Sequence, residues 1–365
     1  MIKNKEKPEA LQEAEPTPLS KGNWRKIFKK NPEKAPGQNP ALRITLRCLS
    51  VFGVLLLSVA VLFFGGMGII CKGPSESARD LFVTTVMETS FARKFAYLYL
   101  KEADIDAIIA KNGLVEFDDV TDTDAVVITE PTPESPEEKP IEIVDVSGST
   151  FKGKMMIVKD PSRVVVGTAP KYGKDLVGST VEEMVKRENA VAGINAGGFV
   201  DIDGLGKGGE PTGIVIKGGK LLHGGMGTTT VIGGFTEDNK FIVGKMSAAQ
   251  ALEKKVRDAV SFGPALVVNG EPAQVTGSGG GLNPRTAIGQ RGDGAALLLV
   301  LDGRQSHSIG ASYKDCVDVM MQFGAVNACN LDGGSSSLMY YEGQIINICA
   351  SLYGPRKMPT SFIVK

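Results

Sequence analysis

An α+β fold is what this sequence predicts: a mixed β-sheet domain flanked by a few helices, preceded by a single transmembrane helix, a juxtamembrane helix and a linker. Three observations carry that expectation. Between residues 141 and 365, short apolar and β-branched runs alternate with a few helical ones. Glycine is abundant at 45 residues while aromatics make up only 6%. Upstream, one uncharged stretch is too long for an ordinary core helix.

Residues 1–47 are rich in Lys, Glu and Pro and lack the apolar content to fold, so a disordered tail is expected. Residues 48–71, CLSVFGVLLLSVAVLFFGGMGIIC, contain no charge, and a spanning helix needs roughly 20 apolar residues. A cleaved leader fits less well, because its apolar region would be only ~7–15 residues long and would start earlier. Lys21, Arg25, Lys26, Lys29, Lys30, Lys34, Arg43 and Arg47 precede the span, against Lys72 and Arg79 close behind it. The positive-inside rule then puts the N-terminus in the cytoplasm and the remainder outside the plasma membrane.

Residues 72–113 read as a juxtamembrane helix or stalk. Leu81, Val83, Val86, Met87, Phe91, Phe95 and Leu98 recur at three- and four-residue spacing, no proline intervenes, and Asn112-Gly113 is a stop signal. Residues 114–140 end in the acidic, Pro/Thr-rich TEPTPESPEEKP, expected to be an extended linker. The distal domain is expected over 141–365.

Within it, strands are expected at 155–158, 163–168, 191–195, 213–216, 241–243, 265–268, 286–290, 295–301, 325–331, 337–341 and 361–364. Three helices have start signals. Thr180 with Glu183 is a capping-box pattern before 181–188, Ser247 precedes 248–259, and Ser312 with Asp315 precedes 313–323.

Lys+Arg (41) balance Asp+Glu (41), so no net field favours nucleic acid. With only His223 and His307 present, a multi-His metal site within one chain is nearly excluded. A divalent cation such as Ca or Mg held by oxygen ligands stays compatible with the carboxylates. Cys316, Cys329 and Cys349 lie in the distal domain without CxxC spacing. A Cys316–Cys329 bridge and three free thiols both fit.

The chemistry-bearing residues cluster at the ends of apolar runs. Asp332 closes Asn-Ala-Cys-Asn-Leu-Asp and is followed at once by Gly333, Gly334, Ser335, Ser336 and Ser337. Glycines there let a ligand approach the backbone, and hydroxyls and N–H groups can donate to an anionic or polyhydroxylated ligand. Asp302 follows five apolar residues in LLLVLDGRQ. Asn195 ends AVAGIN ahead of the Gly197-Gly198 pair, Glu210 sits in GKGGEPTG, and Arg285 opens a strand in NPRTAIGQ. Each alone is also an ordinary turn or surface residue. Together they supply a guanidinium for a phosphate oxygen and carboxylates for proton transfer or attack. His307, in SHSIG, is a candidate contact near the site.

Residues 204–209 match GxGxxG, but Pro211 follows and no helix opens there, so a dinucleotide site fails its context. GxxxxGK[ST] does not occur. Ser335 is not in a GxSxG elbow, which argues against a serine triad with His307.

In order along the chain, INAGGF…D (194–201), PTGIVIKGGKL (211–221), SFGPALVVNGE (261–271), NPRTAIGQ (283–290), LLLVLDGRQ (298–305), NLDGGSSS (330–337) and Arg356…Pro359-Thr360 together resemble the phosphodiester glycosidase family over about residues 145–365. The resemblance implies hydrolysis of the bond between an anomeric carbon and a phosphodiester oxygen. It implies Asp332, Asp302, Glu210 and Arg285 as catalytic positions. Asn195, Gly197, Arg304, His307, Gly333, Gly334, Ser335, Ser336 and Arg356 are the expected substrate contacts. Two departures from family habit bear on substrate fit: Ala196 replaces a glycine, and Ser335 follows Gly334 directly.

The expected protein is thus a membrane-anchored extracytoplasmic hydrolase, held through residues 48–71. It would act on glycosyl-1-phosphodiesters in a phosphorylated cell-surface or secreted glycan. The alternative is a non-catalytic glycan-binding module of an exopolysaccharide or cell-envelope assembly machine.

Overall fold

The computed structural model describes residues 40–123, 139–201, 206–351 and 353–365. The expected disordered tail falls almost wholly outside them, as does 124–138 of the expected linker. Contacts divide the chain into Met1–Phe64 and Gly65–Lys365. Helix α1 spans Pro40–Lys72. Among the described residues it is the one helix long and apolar enough to cross a membrane, with mean hydropathy 2.6 over its apolar window, of which 11% is buried. An apolar helix with so little protein cover is the kind a bilayer stabilises.

Residues after α1 form three short helices, α2 (Glu76–Met87), α3 (Arg93–Tyr99) and α4 (Glu102–Lys111), instead of one continuous run. No Gly or Pro marks the breaks. They follow from packing: Val83, Ala96, Ile105 and Ile108 bury against one another, which a single straight helix cannot achieve. The segment is not a free stalk either. Thr84 Oγ1 lies 2.8 Å from Ser278 Oγ, the N–H of Leu282 donates to Thr85 Oγ1, and the Asn112 side-chain oxygen accepts from the N–H of Ser278.

The first ten residues of the expected linker are also docked. Val115 N–H donates to Gln274 O, and the buried Thr121 hydroxyl donates to Asn327. Gly65–Lys365 is accordingly one compact unit with no division at Ile141.

The α+β class holds, built as three sheets in which every strand pairing among the described residues is antiparallel. The largest runs, in spatial order, Ile141–Ser147, Lys152–Val158, Ala296–Leu301, Arg285–Arg291, Ala325–Leu331, Ala265–Val268, Glu271–Pro272. The second centres on Ala192–Asn195, between Met339–Tyr341 and Thr360–Val364. The third centres on Val256–Ser261, between Val215–Lys217 and Thr229–Thr236. All three contribute to one core holding Met156, Leu298, Ile194, Phe362, Phe235 and Val260.

One helix covers each outer face: α5 (Val181–Arg187) the second sheet, α6 (Ala248–Glu253) the third and α7 (Tyr313–Gln322) the first. The capping boxes at Thr180, Ser247 and Ser312 all form. The helix expected to run to Ala259 stops at Glu253. Lys255 turns the chain at φ 56°, and Val256–Ser261 becomes a strand paired on both sides. Apolar residues there serve sheet pairing better than one more helical turn.

Candidate active site

Strand register sets the site. Arg285 pairs with Leu301 and Thr286 with Leu331, so Arg285, Asp302 and Asp332 leave three neighbouring strands at the same sheet edge. Asn195, ending a strand of the second sheet, ties that edge down. Its side-chain oxygen accepts from the Thr286 hydroxyl at 2.9 Å and from Leu338 N–H at 3.0 Å, while its amide N–H donates to Asp332 O. Asp332 N–H in turn donates to Ala196 O at 2.9 Å. Asn195 is fully buried and both lone pairs of its oxygen are used. It therefore positions Asp332 instead of reading a sugar hydroxyl.

Burial pushes the Asp332 carboxyl up to about 6, against the Ser336 hydroxyl, Arg356 and the Gly333 N–H, which favour the ionised form. Two guanidinium groups reach the loop that follows. Arg304 Nη1 and Nη2 lie 3.2 Å from where a Cβ on Gly334 would sit, and Arg356 Nη1 lies 3.5 Å from Ser335 Oγ.

Gly334 holds φ 61°, a conformation only glycine adopts without cost, and a side chain there would press on Arg304. Arg304 itself is a non-glycine residue at φ 59°. Its side chain donates to Asn283 Oδ1 at 2.8 Å and to Glu88 O at 3.3 Å, yet the residue keeps solvent access. Desolvation by the protein around its guanidinium and the neighbouring charge of Arg285 pull its pKa down, while Glu88 and Asp332 oppose that fall. Such outliers cost about 1–3 kcal/mol and gather at functional sites.

Arg356 stacks over Phe199 at 5.0 Å and donates to Asp201 at 2.6 Å. Burial works to raise Asp201, but Arg356 and the Gly206 N–H outweigh it and hold its carboxyl low. Glu210 stands across from this rim: Val200 N–H donates to its backbone oxygen, and its carboxylate makes no hydrogen bond among the described residues. Gly197 is a packing position, its N–H donating to Thr360 Oγ1 at 3.0 Å.

Two expected catalytic residues are committed elsewhere. Arg285 is 3% exposed and stacks at 4.1 Å on Tyr313. It donates to Ala311, Gly280 and Gly281 carbonyls and pairs with Glu88 at 2.8 Å. Arg356 is ion-paired too, but its side chain keeps 16% exposure against 4% for Arg285, so Arg285 offers a phosphate the less access. Asp302 accepts from Asn347 Nδ2 at 2.9 Å and from Ile348 N–H at 3.2 and 3.3 Å, with His307 Nε2 at 3.5 Å. Its carboxylate anchors the 344–349 segment, and His307 is a neighbour of that anchor.

Glu88 was invisible from sequence, since it sits at the end of an amphipathic helix with no motif around it. Asp201 lay inside a recognised run but had no visible partner until Arg356 folded onto it. The cysteines are free thiols, so the Cys316–Cys329 bridge is not formed. Among the described residues no three His, Cys, Asp or Glu side chains gather as a metal site. A separate open cavity of about 400 Å³ is lined by Glu116, Thr212, Thr230, Val231, Ser261 and Phe262, and Asp332 does not line it.

Comparison with known proteins bears on the family and the fold. Residues 188–365 match the model of the phosphodiester glycosidase family. The chain is 31% identical over 233 residues to the SPbeta prophage-derived uncharacterized protein YomE of Bacillus subtilis strain 168, an alignment covering 60% of this chain and 33% of that protein. It is 28% identical over 185 residues to the N-acetylglucosamine-1-phosphodiester alpha-N-acetylglucosaminidase of Bos taurus, covering 46% and 34%. It therefore spans about a third of the length of these relatives. In fold it resembles the zebrafish catalytic domain of the latter enzyme, solved in a form auto-inhibited by its pro-peptide. That match has a TM-score of 0.53 at 22% identity over 65% of this chain and 86% of the other.

Proposed function

We propose that this chain, which belongs through residues 188–365 to the phosphodiester glycosidase family, is a hydrolase of glycosyl-1-phosphodiesters anchored in the membrane by α1. One observation carries the reading. A desolvated carboxylate, Asp332, stands at a strand end beside a loop whose consecutive residues Gly334 and Ser335 are approached by two guanidinium groups, Arg304 and Arg356. A phosphodiester is an anion, and guanidinium forks match its oxygens. The half-buried Ser335 hydroxyl and the Gly333–Gly334 backbone beside it suit the sugar, while the buried Ser336 hydroxyl is taken up by Asp332.

In the reaction, the bond from the anomeric carbon to the phosphate oxygen breaks and its electron pair stays on that oxygen. Water supplies the hydroxyl to the anomeric carbon and its proton to the phosphate monoester or solvent. Asp332, ionised above about pH 6, either attacks the anomeric carbon or takes the proton of the attacking water. Phosphate is a weakly basic leaving group, so a strong general acid is not required of Glu210. Asn195 fixes the Asp332 backbone, and Arg285 fixes the strand beside it.

The orientation of α1 suggested by its basic flank puts the site outside the cytoplasm, facing surface or secreted glycans. The test uses the full chain in detergent with a panel of sugar-1-phosphodiesters, monitoring release of phosphate monoester. Arg304→Gln and Arg356→Gln are each expected to raise KM by about ten- to a hundredfold, the worth of a charged hydrogen bond. Wild-type turnover that neither substitution alters would remove the assignment. Absence of turnover together with glycan binding would favour the binding module.

A further inference from the structure

Helix α3 and the turn before it carry an apolar and basic face that lies open. Phe91 is 69% exposed, Leu98 59% and Tyr97 46%, and Lys94 and Lys101 are exposed beside them. Residues 91, 94 and 98 follow three- and four-residue spacing and share one side, while Ala96 on the other side is buried against Val83 and Ile105.

This face has a defined position against the last turns of α1. The Tyr99 ring lies 3.3 Å from where a Cβ on Gly68 would sit. Gly65–Lys72, the last turns of α1, belong to the same compact unit as α3. Gly68 precedes Lys72 by four residues, about 6 Å of helix rise. In a span whose apolar stretch ends at Lys72, that is the depth of the headgroup boundary, where Tyr and Trp concentrate. Bulky apolar side chains among lysines form the composition of an interfacial segment.

The same face adjoins the catalytic rim. Glu88, whose carboxylate pairs with Arg285 and whose carbonyl accepts from Arg304, precedes Phe91 by three residues, at most about 11 Å of chain.

We propose that the Phe91–Leu98 face lies in the headgroup layer of the bilayer, and that the site, read as a glycosyl phosphodiester hydrolase, takes a diester borne on a lipid. Such a substrate carries its phosphate at headgroup depth, the level at which this rim holds Arg304.

The test uses the full chain in nanodiscs. Trp24 is the sole tryptophan, so a Trp24→Phe background allows Leu98→Trp to be compared with Leu222→Trp, a control on the distant strand Lys220–His223. Brominated phosphatidylcholine should quench Leu98→Trp at least twofold more than the control, and equal quenching would overturn the docking.

Turnover is then read on a polyprenol-linked glycosyl phosphate embedded in the nanodisc and on a water-soluble methyl ester of the same glycosyl phosphate. Phe91→Ser with Leu98→Ser should lose at least tenfold on the lipid probe and stay within twofold on the soluble one. Equal loss on both would overturn the lipid assignment. No wild-type turnover of either probe would instead remove the hydrolase reading and the lipid substrate with it, while the quenching still decides the docking.

Discussion

Asp302 and Asp332 follow the apolar strands on either side of Arg285–Arg291, in LLLVLDG and NACNLDG, and look alike along the chain. The fold treats them differently. Asp302 is wrapped by Asn347, Ile348 and His307 and acts as a bracket for a loop. Asp332 has one hydroxyl, one N–H and the charge of Arg356 to set against its burial, and its carboxyl is still pushed up to about 6. The arginines divide in the same way: Arg285 is spent on Glu88 and three carbonyls, while Arg304 keeps solvent access. A charged residue at a strand end becomes a bracket or a reagent according to which distant segment reaches it.

The contrast breaks most sharply at Asp332. Asp332→Asn should lower kcat by about 10²- to 10⁴-fold, and a variant as active as wild type would end its assignment. The same substitution should stabilise the fold. A carboxyl moved from 3.8 to about 6 costs up to about 3 kcal/mol when ionised. Because the folded pKa lies above the unfolded one, that cost is absent below about pH 4, grows through about pH 6 and is constant above. Denaturant melts at pH 4 and pH 8 should show the gain of Asp332→Asn only at the higher pH. Wild-type kcat/KM should fall below about pH 6, and a flat profile there would contradict a working carboxylate.

Next comes the Arg285 bracket. Glu88→Ala leaves a buried guanidinium without its partner, at about 2–4 kcal/mol after allowing for the partial exposure of Glu88. Replacing Arg285 by Met in the same chain should recover part of the loss, and additive losses would show that the two do not act together. A fragment starting at Ile141 should show the same defect, so trials of the isolated domain should retain residues from Gly73 onward.

Asp302→Asn should cost about 1–2 kcal/mol in thermal melts and change kcat less than tenfold. A loss as large as that of Asp332→Asn would erase the contrast between the two acids. The smallest expected effect is at Gly334. An alanine at φ 61° costs about 1 kcal/mol and should raise KM a few fold by displacing Arg304, with kcat largely kept.

Much of this was legible in the chain itself. The uncharged run 48–71, the helix starts after Thr180, Ser247 and Ser312, and most strands of the distal domain follow from local rules, because hydrophobic periodicity and caps act within a few residues. The helix expected through Ala259 failed where sheet pairing outweighed local propensity at Val256–Ser261. The breaks after Met87 and Tyr99 had no local signal, since they answer to packing among three helices. At the site, the ordered motifs singled out Asp332, Arg304, Arg356 and the Gly-Ser loop as expected functional positions, and the structure brings these groups together. They could not show that Asn195, Arg285 and Asp302 hold the frame.

The sequence by itself determined which residue types stand at the strand ends and where the apolar helix stops, because charge, turn chemistry and periodicity are written locally; that helix starts at Pro40, ahead of the uncharged run. Only the tertiary structure decided which of those charges stay unspent, because neutralising Arg285 takes Glu88 from almost two hundred residues away and desolvating Asp332 takes the meeting of two sheets.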